Sequence, residues 1–199
     1  KIIPKRYGYD SNGQKRELFR SIPIKGARIE VATNNHCFAA PIAGLCNNSN
    51  ISDCIISDSY VSLTDSAKMW GTGGIAGFGS GNLDNVSTDV TLVCIDTDKQ
   101  VKDEQFMGGA YAAGFLNIRN CKINIDGYDS DHGYVHDGGL VGMYMVYPYD
   151  LSLTYAGEVL NNEVYGQITF YEDNTDRRAY CKACLLYTSP SPRDRSLSR

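Results

Sequence analysis

The chain of 199 residues contains only six prolines, three histidines and one tryptophan. It has no run of 18 apolar residues, so nothing in it indicates a membrane-spanning helix. Helical periodicity is weak throughout, and residues 103–107 are the only short candidate. Leaving aside Cys184, which begins an atypical C-terminal segment, no two of the remaining six cysteines have the CxxC spacing of a structural zinc site. These absences favour a β-rich domain that folds without zinc.

The bulk composition is that of an ordinary folded protein. Apolar residues make up 42% of the chain and charged residues 21%, which argues against intrinsic disorder. Twenty glycines and fourteen tyrosines are typical of a turn-rich β protein. The formal charge is −4, and a mildly acidic chain argues against nucleic-acid binding.

Residues 184–199 differ in character from the rest. The segment begins Cys-Leu-Leu-Tyr-Thr-Ser-Pro and has no apolar periodicity. It resembles the translation of a sequencing-library adapter, so we interpret it as a non-native, disordered tail; a genuine basic tail is the alternative. Leaving out its three arginines and one aspartate changes the formal charge to −6. We expect a preceding coil or loop over residues 1–35, repeats over 36–183 and the tail over 184–199.

Internal repeats organise the chain before the tail. Four apolar segments are centred on glycines that lie 33, 37 and 28 residues apart: Gly44, Gly77, Gly114 and Gly142. A second motif follows each glycine, with the pattern Ile/Leu, any residue, Asn/Asp, then Cys or Val in most copies. The Ile/Leu position of its four copies is occupied by Ile51, Leu83, Ile118 and Leu160. Similar segments at an irregular period predict a solenoid with loops of variable length.

The second motif predicts a corner between two strands. Asparagine and aspartate tolerate left-handed backbone angles, and stacked copies could form a hydrogen-bonded ladder. Alternating β-branched runs at 59–64, 89–96 and 166–171 predict a third strand in each repeat. Three short strands per repeat predict an all-β parallel β-helix, or β-solenoid, of about four irregular coils. Residues 179–183 are similar to 36–40, which suggests a new coil and a truncated C-terminus.

The motifs resemble the GLUG-type repeat. Residues 138–142, Gly-Gly-Leu-Val-Gly, are similar to its first half, and residues 117–121, Asn-Ile-Arg-Asn-Cys, to its second. The resemblance spans about residues 37 to 171, and an insertion over 144–158 interrupts its last copy, where we expect Glu163 at the inward position. It implies a bacterial cell-surface or secreted protein of the adhesin-like kind, and therefore an extracellular location.

One polar cluster is a candidate metal site: Asp129, Asp131, His132, His136 and Asp137. Carboxylates and imidazoles this close in sequence could hold Ca²⁺ or a transition metal, or supply a general acid and base. A solvated loop between repeats is the alternative, since glycines punctuate the stretch. Apart from Ca²⁺ at this position, we expect no cofactor.

An aromatic stretch is the candidate ligand-binding site: Tyr144, Tyr147, Tyr149 and Tyr155. Exposed tyrosines stack on sugar rings and anchor protein interfaces, although such a stretch can also cover a local core. Six cysteines are expected to be mostly free, buried thiols: Cys37, Cys46, Cys54, Cys94, Cys121 and Cys181.

The resulting functional hypothesis is a non-enzymatic cell-surface or secreted module for adhesion, spacing, or binding of glycans or proteins, with no assigned catalytic residue. The alternative is a fragment of a β-helix carbohydrate-active enzyme, either a polysaccharide lyase or a glycoside hydrolase. Its candidate residues would be Asp84, Asp89, Arg119, Lys122 and Asp126. Outward-facing charges that keep a sheet soluble explain the same residues equally well.

Overall fold

The computed structural model describes residues 6–9, 15–65, 69–97, 104–130, 134–144, 158–170 and 180–184. The predicted all-β parallel β-helix is confirmed. Three parallel sheets form a β-solenoid of about three turns, and the described residues contain no helix. Accordingly, no described segment is a helix long and apolar enough to cross a membrane.

In the described part of the chain, eighteen strands make up the three sheets. The first sheet contains β1 (Arg6–Tyr9), β2 (Lys15–Arg20), β6 (Ala43–Ser52), β9 (Ala76–Asp84), β12 (Tyr111–Arg119), β15 (Val141–Tyr144) and β16 (Val159–Leu160). The second contains β3 (Pro23–Lys25), β4 (Arg28–Ala32), β7 (Ile55–Asp65), β10 (Ser87–Asp96), β13 (Lys122–Ser130) and β17 (Glu163–Phe170). The third contains β5 (Cys37–Ala39), β8 (Met69–Gly73), β11 (Glu104–Gly108), β14 (Tyr134–Gly138) and β18 (Tyr180–Cys184).

Each turn of the solenoid follows the same path. The chain runs along the first sheet, bends at a corner into the second, crosses to the third, and returns to the first through a tight turn. Equivalent strands of successive turns pair in parallel, whereas β1 pairs with β2 in antiparallel fashion at one edge of the first sheet. Residues at equivalent positions therefore form columns along the solenoid axis.

The first three copies of the second motif stack as predicted, since Ile51 pairs with Leu83 and Leu83 with Ile118. In the last copy the alignment is one residue earlier than predicted, because Ile118 pairs with Val159 and Leu160 is exposed. The first three side chains are at most 1% exposed and belong to one apolar cluster. These inward side chains therefore form a column in the core, at the point where the first sheet meets the corner.

The glycine alignment needs one correction. Ala43 and Tyr111 both pair with Ala76, and Tyr111 also pairs with Val141, so the column is Gly44, Gly77, Ala112 and Gly142. Gly114 instead pairs with Gly79, two residues further along. Side chains alternate with period two, so a two-residue slip keeps every residue on the same face. The apolar pattern around Gly114 therefore could not show whether Ala112 or Gly114 aligns with Gly77.

The corner of each turn adopts the predicted left-handed conformation. Asp53, Asn85, Asn120 and Asn161 have φ angles of 53°, 52°, 55° and 53°, and Ser21 in the preceding turn has 53°. Side chains such as Asn and Asp populate this region more readily than most. The bend turns the following residue inward, so Cys54, Val86 and Cys121 are at most 1% exposed.

Hydrogen-bonded ladders of polar side chains join the turns. Asn82 Nδ2 donates to Asn50 Oδ1 at 2.6 Å, and Asn117 Nδ2 donates to Asn82 Oδ1 at 2.7 Å. At the corner, Asn85 Nδ2 donates to Asp53 Oδ1 at 2.9 Å, which together with Arg20 lowers the pKa of Asp53. The predicted ladder is thus present, and its longest run lies just before the corner.

The last copy of the motif differs from the expectation. Glu163 pairs with Lys122 and is exposed, so it does not occupy the inward position. Asn162 lies there instead, 3% exposed. Its Oδ1 accepts from the backbone N–H of Cys121 at 2.9 Å, and its Nδ2 donates to the Ile118 carbonyl at 3.0 Å. These two bonds satisfy the buried amide.

Both faces of β11 in the third sheet are covered. Met107 packs with residues of the second sheet, whereas Phe106 packs against Ala112 and Phe78 of the first. Phe106 is 1% exposed and Met107 0%. As predicted, Cys46, Cys54, Cys94 and Cys121 are buried thiols rather than disulfides, and Cys37 is a half-buried thiol. Burial raises the pKa of Cys121 to about 11.

Strand β18 supports the predicted start of a further coil. Its backbone pairs with β14, and register relates Cys181 through Val135, Gln105 and Trp70 to Cys37. Cys184, the first residue assigned to the tail, ends this strand. Residues 185–199 lie outside the described residues, so the non-native tail stays a prediction.

Candidate binding surface

The outer face of the second sheet carries the clearest row of exposed functional groups. Along β13, side chains alternate between buried Ile123 and Ile125 and exposed Lys122, Asn124 and Asp126. We call the following residues of four successive strands the outer face: Tyr60, Asp89, Thr91, Lys122, Asn124, Asp126, Tyr128, Glu163, Tyr165 and Gln167.

Parallel register arranges this outer face in rows along the solenoid axis. One row contains Asp89, Asn124 and Tyr165. The next row contains Tyr60, Thr91, Asp126 and Gln167. Neighbouring members of a row are about 4.8 Å apart because that is the spacing of paired strands. The rows present repeating polar groups to an extended ligand lying along the axis.

Three tyrosines add aromatic surface to the outer face: Tyr60 and Tyr165 each end one of these rows, and Tyr128 lies in the adjacent row. Tyr128 is 41% exposed, Tyr165 is 51% exposed and Tyr60 is half-buried. The Arg28 guanidinium lies 4.4 Å from the Tyr60 ring centroid, and Lys122 Nζ lies 5.3 Å from that of Tyr165. Both distances are within the range of cation–π contacts, which restrict how the rings move.

Hydrogen bonds between turns orient the polar groups of the outer face. Asn124 Nδ2 donates to Asp89 Oδ1 at 2.9 Å, and Gln167 Nε2 donates to Asp126 Oδ1 at 3.2 Å. Each carboxylate therefore already accepts one bond and retains further acceptor capacity toward solvent. Such a side chain can accept hydrogen bonds from ligand hydroxyl groups.

Charges on the outer face are compensated locally. Lys122 Nζ lies 3.3 Å from Glu163 Oε2, and Tyr165 Oη donates to the same oxygen at 2.7 Å. These two donors lower the pKa of Glu163, and the bond to Glu163 raises the pKa of Tyr165. With three carboxylates and one ammonium, the outer face as a whole is weakly acidic.

The predicted tyrosine site cannot be compared with this surface. Tyr144 is the last residue of β15, and its side chain is outside the described part of the chain. Tyr147, Tyr149 and Tyr155 also fall outside the described residues. Ligand binding by these four residues therefore stays a prediction.

The predicted metal ligands lie on opposite sides of β14, which carries His136 and Asp137. Asp129 and Asp137 are buried together in the interior, whereas His136 stacks on Phe106 with ring centroids 5.3 Å apart. Adjacent strand residues point to opposite faces, so His136 and Asp137 diverge. Asp131 and His132 lie outside the described residues. Within the described ranges, no three His, Cys, Asp or Glu side chains converge as metal ligands.

The candidate catalytic residues do not form one cluster. Asp84 and Arg119 belong to the first sheet, where Asp84 accepts a 2.8 Å bond from Asn120 Nδ2 and Arg119 pairs with Glu158. Asp89, Lys122 and Asp126 lie beyond the corner on the outer face of the second sheet. The structure thus separates the five residues into two groups.

Sequence reasoning did not single out Tyr60, Tyr128 and Tyr165 as binding residues. Alternation gives each of these tyrosines an outward position, but only Tyr60 lies in a predicted third-strand run; Tyr128 and Tyr165 lie in β13 and β17, outside those runs. This signal was outweighed by the denser cluster of tyrosines at 144–155. Only the register between strands brings Tyr60 into the row of Asp126 and Gln167.

No protein-family model, curated protein or solved structure matches this chain. The similarity to the GLUG-type repeat therefore depends on the two motifs alone.

Proposed function

We propose that this chain is a non-enzymatic carbohydrate-binding module of a secreted or cell-surface protein, and that the outer face binds an extended, uncharged glycan. The observation that carries the proposal is the pair of axial rows, each of which has a tyrosine at one end and carboxylate and amide groups along the rest. Aromatic rings stack on sugar faces, and carboxylates and amides accept or donate bonds to hydroxyl groups.

The charge of the outer face supports an uncharged glycan over an acidic one. Asp89, Asp126 and Glu163 would repel a polyanion, and Lys122 is already paired with Glu163. A protein partner is favoured less, because protein interfaces are depleted of charged residues at their centres. The adhesin-like location and role follow from the repeat resemblance and belong to the same proposal.

Binding rather than hydrolysis is favoured by where the perturbed carboxyl group lies. Burial beside Asp137 strongly raises the pKa of Asp129, but the side chain is fully buried in the solenoid. A general acid must reach its substrate, and this carboxyl group does not face solvent. On the outer face, Asp89 and Asp126 accept bonds from neighbouring amides, and Glu163 is paired with Lys122.

A glycan array probed with the full chain tests the proposal. We expect binding to neutral, linear oligosaccharides, lost in Tyr128→Ala and Tyr165→Ala variants and retained in Leu45→Ala. Leu45 is 67% exposed on the first sheet and is therefore a matched surface control. Binding that is unaffected by both tyrosine substitutions would contradict the proposal, as would cleavage of a bound glycan.

A further inference from the structure

The outer face has a tyrosine near each of its two axial ends. Tyr60 lies on β7, the first of the four strands, and Tyr165 lies on β17, the last. On the two middle strands, the rows between the rings carry only hydroxyl, carboxylate and amide groups, from Thr91, Asp89, Asn124 and Asp126. Two aromatic rings therefore bound a polar stretch that follows the solenoid axis.

Register gives the separation of these two rings. Tyr60 and Tyr165 are three strand spacings apart, since β10 and β13 lie between their strands. They also differ by one row, because Tyr60 pairs with Thr91 whereas Tyr165 is related through Asn124 to Asp89. Three spacings and two residues along the strand give about 16 Å between the two Cα atoms. One sugar unit of an extended chain is similar in length to one strand spacing, so a ligand that reaches both rings has about four units.

A cation lies over each of the two rings. The Arg28 guanidinium is 4.4 Å from the Tyr60 ring centroid, and Lys122 Nζ is 5.3 Å from that of Tyr165. The Tyr165 hydroxyl group is held as well, since it donates to Glu163 at 2.7 Å. A ring with a cation over one face offers its other face to a sugar, and it loses less freedom on binding because the contact already restricts it.

We propose that the ligand of the outer face is a linear glycan of at least four neutral sugar units, with one unit stacked on Tyr60 and another on Tyr165, and that Arg28 and Lys122 are positioning residues for these rings. The inference rests on the proposed function and adds the length of the ligand and the residues that anchor it. A shorter glycan reaches one ring only. The surface therefore selects polysaccharide chains over mono- and disaccharides, because a longer chain engages the second ring in an intramolecular step.

Calorimetric titration of the full chain tests the length of the ligand. The probe is the neutral linear homopolymer with the strongest array signal, used as purified dimer, trimer, tetramer and hexamer. We expect the affinity to rise by about tenfold from dimer to tetramer, which is the contribution of stacking on a second ring, and little from tetramer to hexamer. Equal affinities for dimer and tetramer overturn the inference about length and leave the proposed function standing, whereas absence of binding by any oligomer overturns both.

Substitutions at the two rings and at Arg28 test the anchors. Tyr60→Ala and Tyr165→Ala should each lower the affinity for the tetramer by about tenfold and leave it similar to that for the dimer. Arg28→Gln removes the cation beside Tyr60, so it should weaken tetramer binding by about threefold at an unaltered melting temperature, and Arg28→Lys should restore the affinity. Tetramer binding that is unaffected by both tyrosine substitutions overturns the inference.

Lys25→Gln is the matched control for Arg28→Gln. Lys25 lies on β3, which borders β7 as β4 does, and its exposed ammonium group is 3.9 Å from Asp58. This variant removes the same charge and should bind the tetramer like the unaltered chain. If Tyr60→Ala does not fold, Arg28→Gln and the oligomer series on the unaltered chain answer the same question. Equal losses of affinity in Lys25→Gln and Arg28→Gln would show that net charge controls binding, and would overturn the positioning role of Arg28.

Discussion

Single asparagines connect the turns of this solenoid. Asn82 is at the centre of the ladder, since it donates to Asn50 and accepts from Asn117. Its replacement removes both bonds and leaves two neighbouring amides with one partner fewer. The strand before the corner therefore depends on this residue more than its half-buried position suggests.

We expect Asn82→Ala to lower the free energy of unfolding by about 1–3 kcal/mol, because it removes two partly buried hydrogen bonds. Urea denaturation followed by circular dichroism measures the change. Asn124→Ala, which removes a similar amide on the exposed outer face, is the control and should cost less than about 1 kcal/mol. Equal effects of the two substitutions would argue against a stabilising ladder.

The buried carboxyl group of Asp129 makes the stability of the fold depend on pH. Its folded-state pKa is raised by burial and by the Asp137 carboxyl group. Below the pKa of the unfolded chain, near 3.8, both states are protonated and the burial cost is smallest. As the pH rises toward the folded-state pKa, the unfolded state releases its proton first, so stability falls.

The melting temperature should therefore decrease as the pH rises above about 4, and Asp129→Asn should reduce this dependence. The asparagine keeps the shape of the side chain and removes its charge, so the variant should be more stable than the original chain near neutral pH. Melting curves over a pH series check both expectations. A variant that is less stable at every pH would show that the charge is compensated in another way.

At the scale of elements, the close approach of the first and third sheets depends on small residues. A Cβ atom at Gly77 would lie 2.6 Å from the Gly44 carbonyl oxygen and 2.6 Å from Phe38 Cβ. Backbone atoms cannot move away independently, so a side chain there must shift a strand. Ala112 shows that another turn accommodates a methyl group at the same column.

We predict that Gly77→Ala destabilises the fold by about 1–3 kcal/mol through overpacking. Ala112→Gly is the reciprocal control, and its cost should be no more than about 1 kcal/mol. Chemical denaturation of both variants provides the comparison. If Gly77→Ala lowered the free energy of unfolding less than Ala112→Gly does, the close contact between Gly77 and Phe38 would be wrong.

The elements that sequence predicted well are those whose signal is local. The inward Ile51, Leu83 and Ile118 and the left-handed Asp53, Asn85 and Asn120 follow from residue type and spacing. Register between turns is not local, which is why Gly114 was placed two residues away from its true column. The same limit applies to Asp129 and Asp137, because only pairing between strands shows that they share the interior without His136.

At the scale of the whole molecule, stacking of similar turns produces the outer face. It exists because equivalent outward positions of successive turns repeat at the strand spacing. The outer face would be lost if successive turns were displaced by one residue, since that displacement exchanges the inward and outward faces.

Nuclear Overhauser contacts between methyl groups test this stacking most directly. In the folded chain, Ile51 should contact Leu83, Leu83 should contact Ile118, and Ile118 should contact Val159, as their register requires. Backbone contacts should likewise relate Asn50 to Asn82 and Asn82 to Asn117. A spectrum that lacks these methyl contacts, and in which Ile51 instead contacts the sequence neighbours of Leu83, would contradict the stacking of the turns.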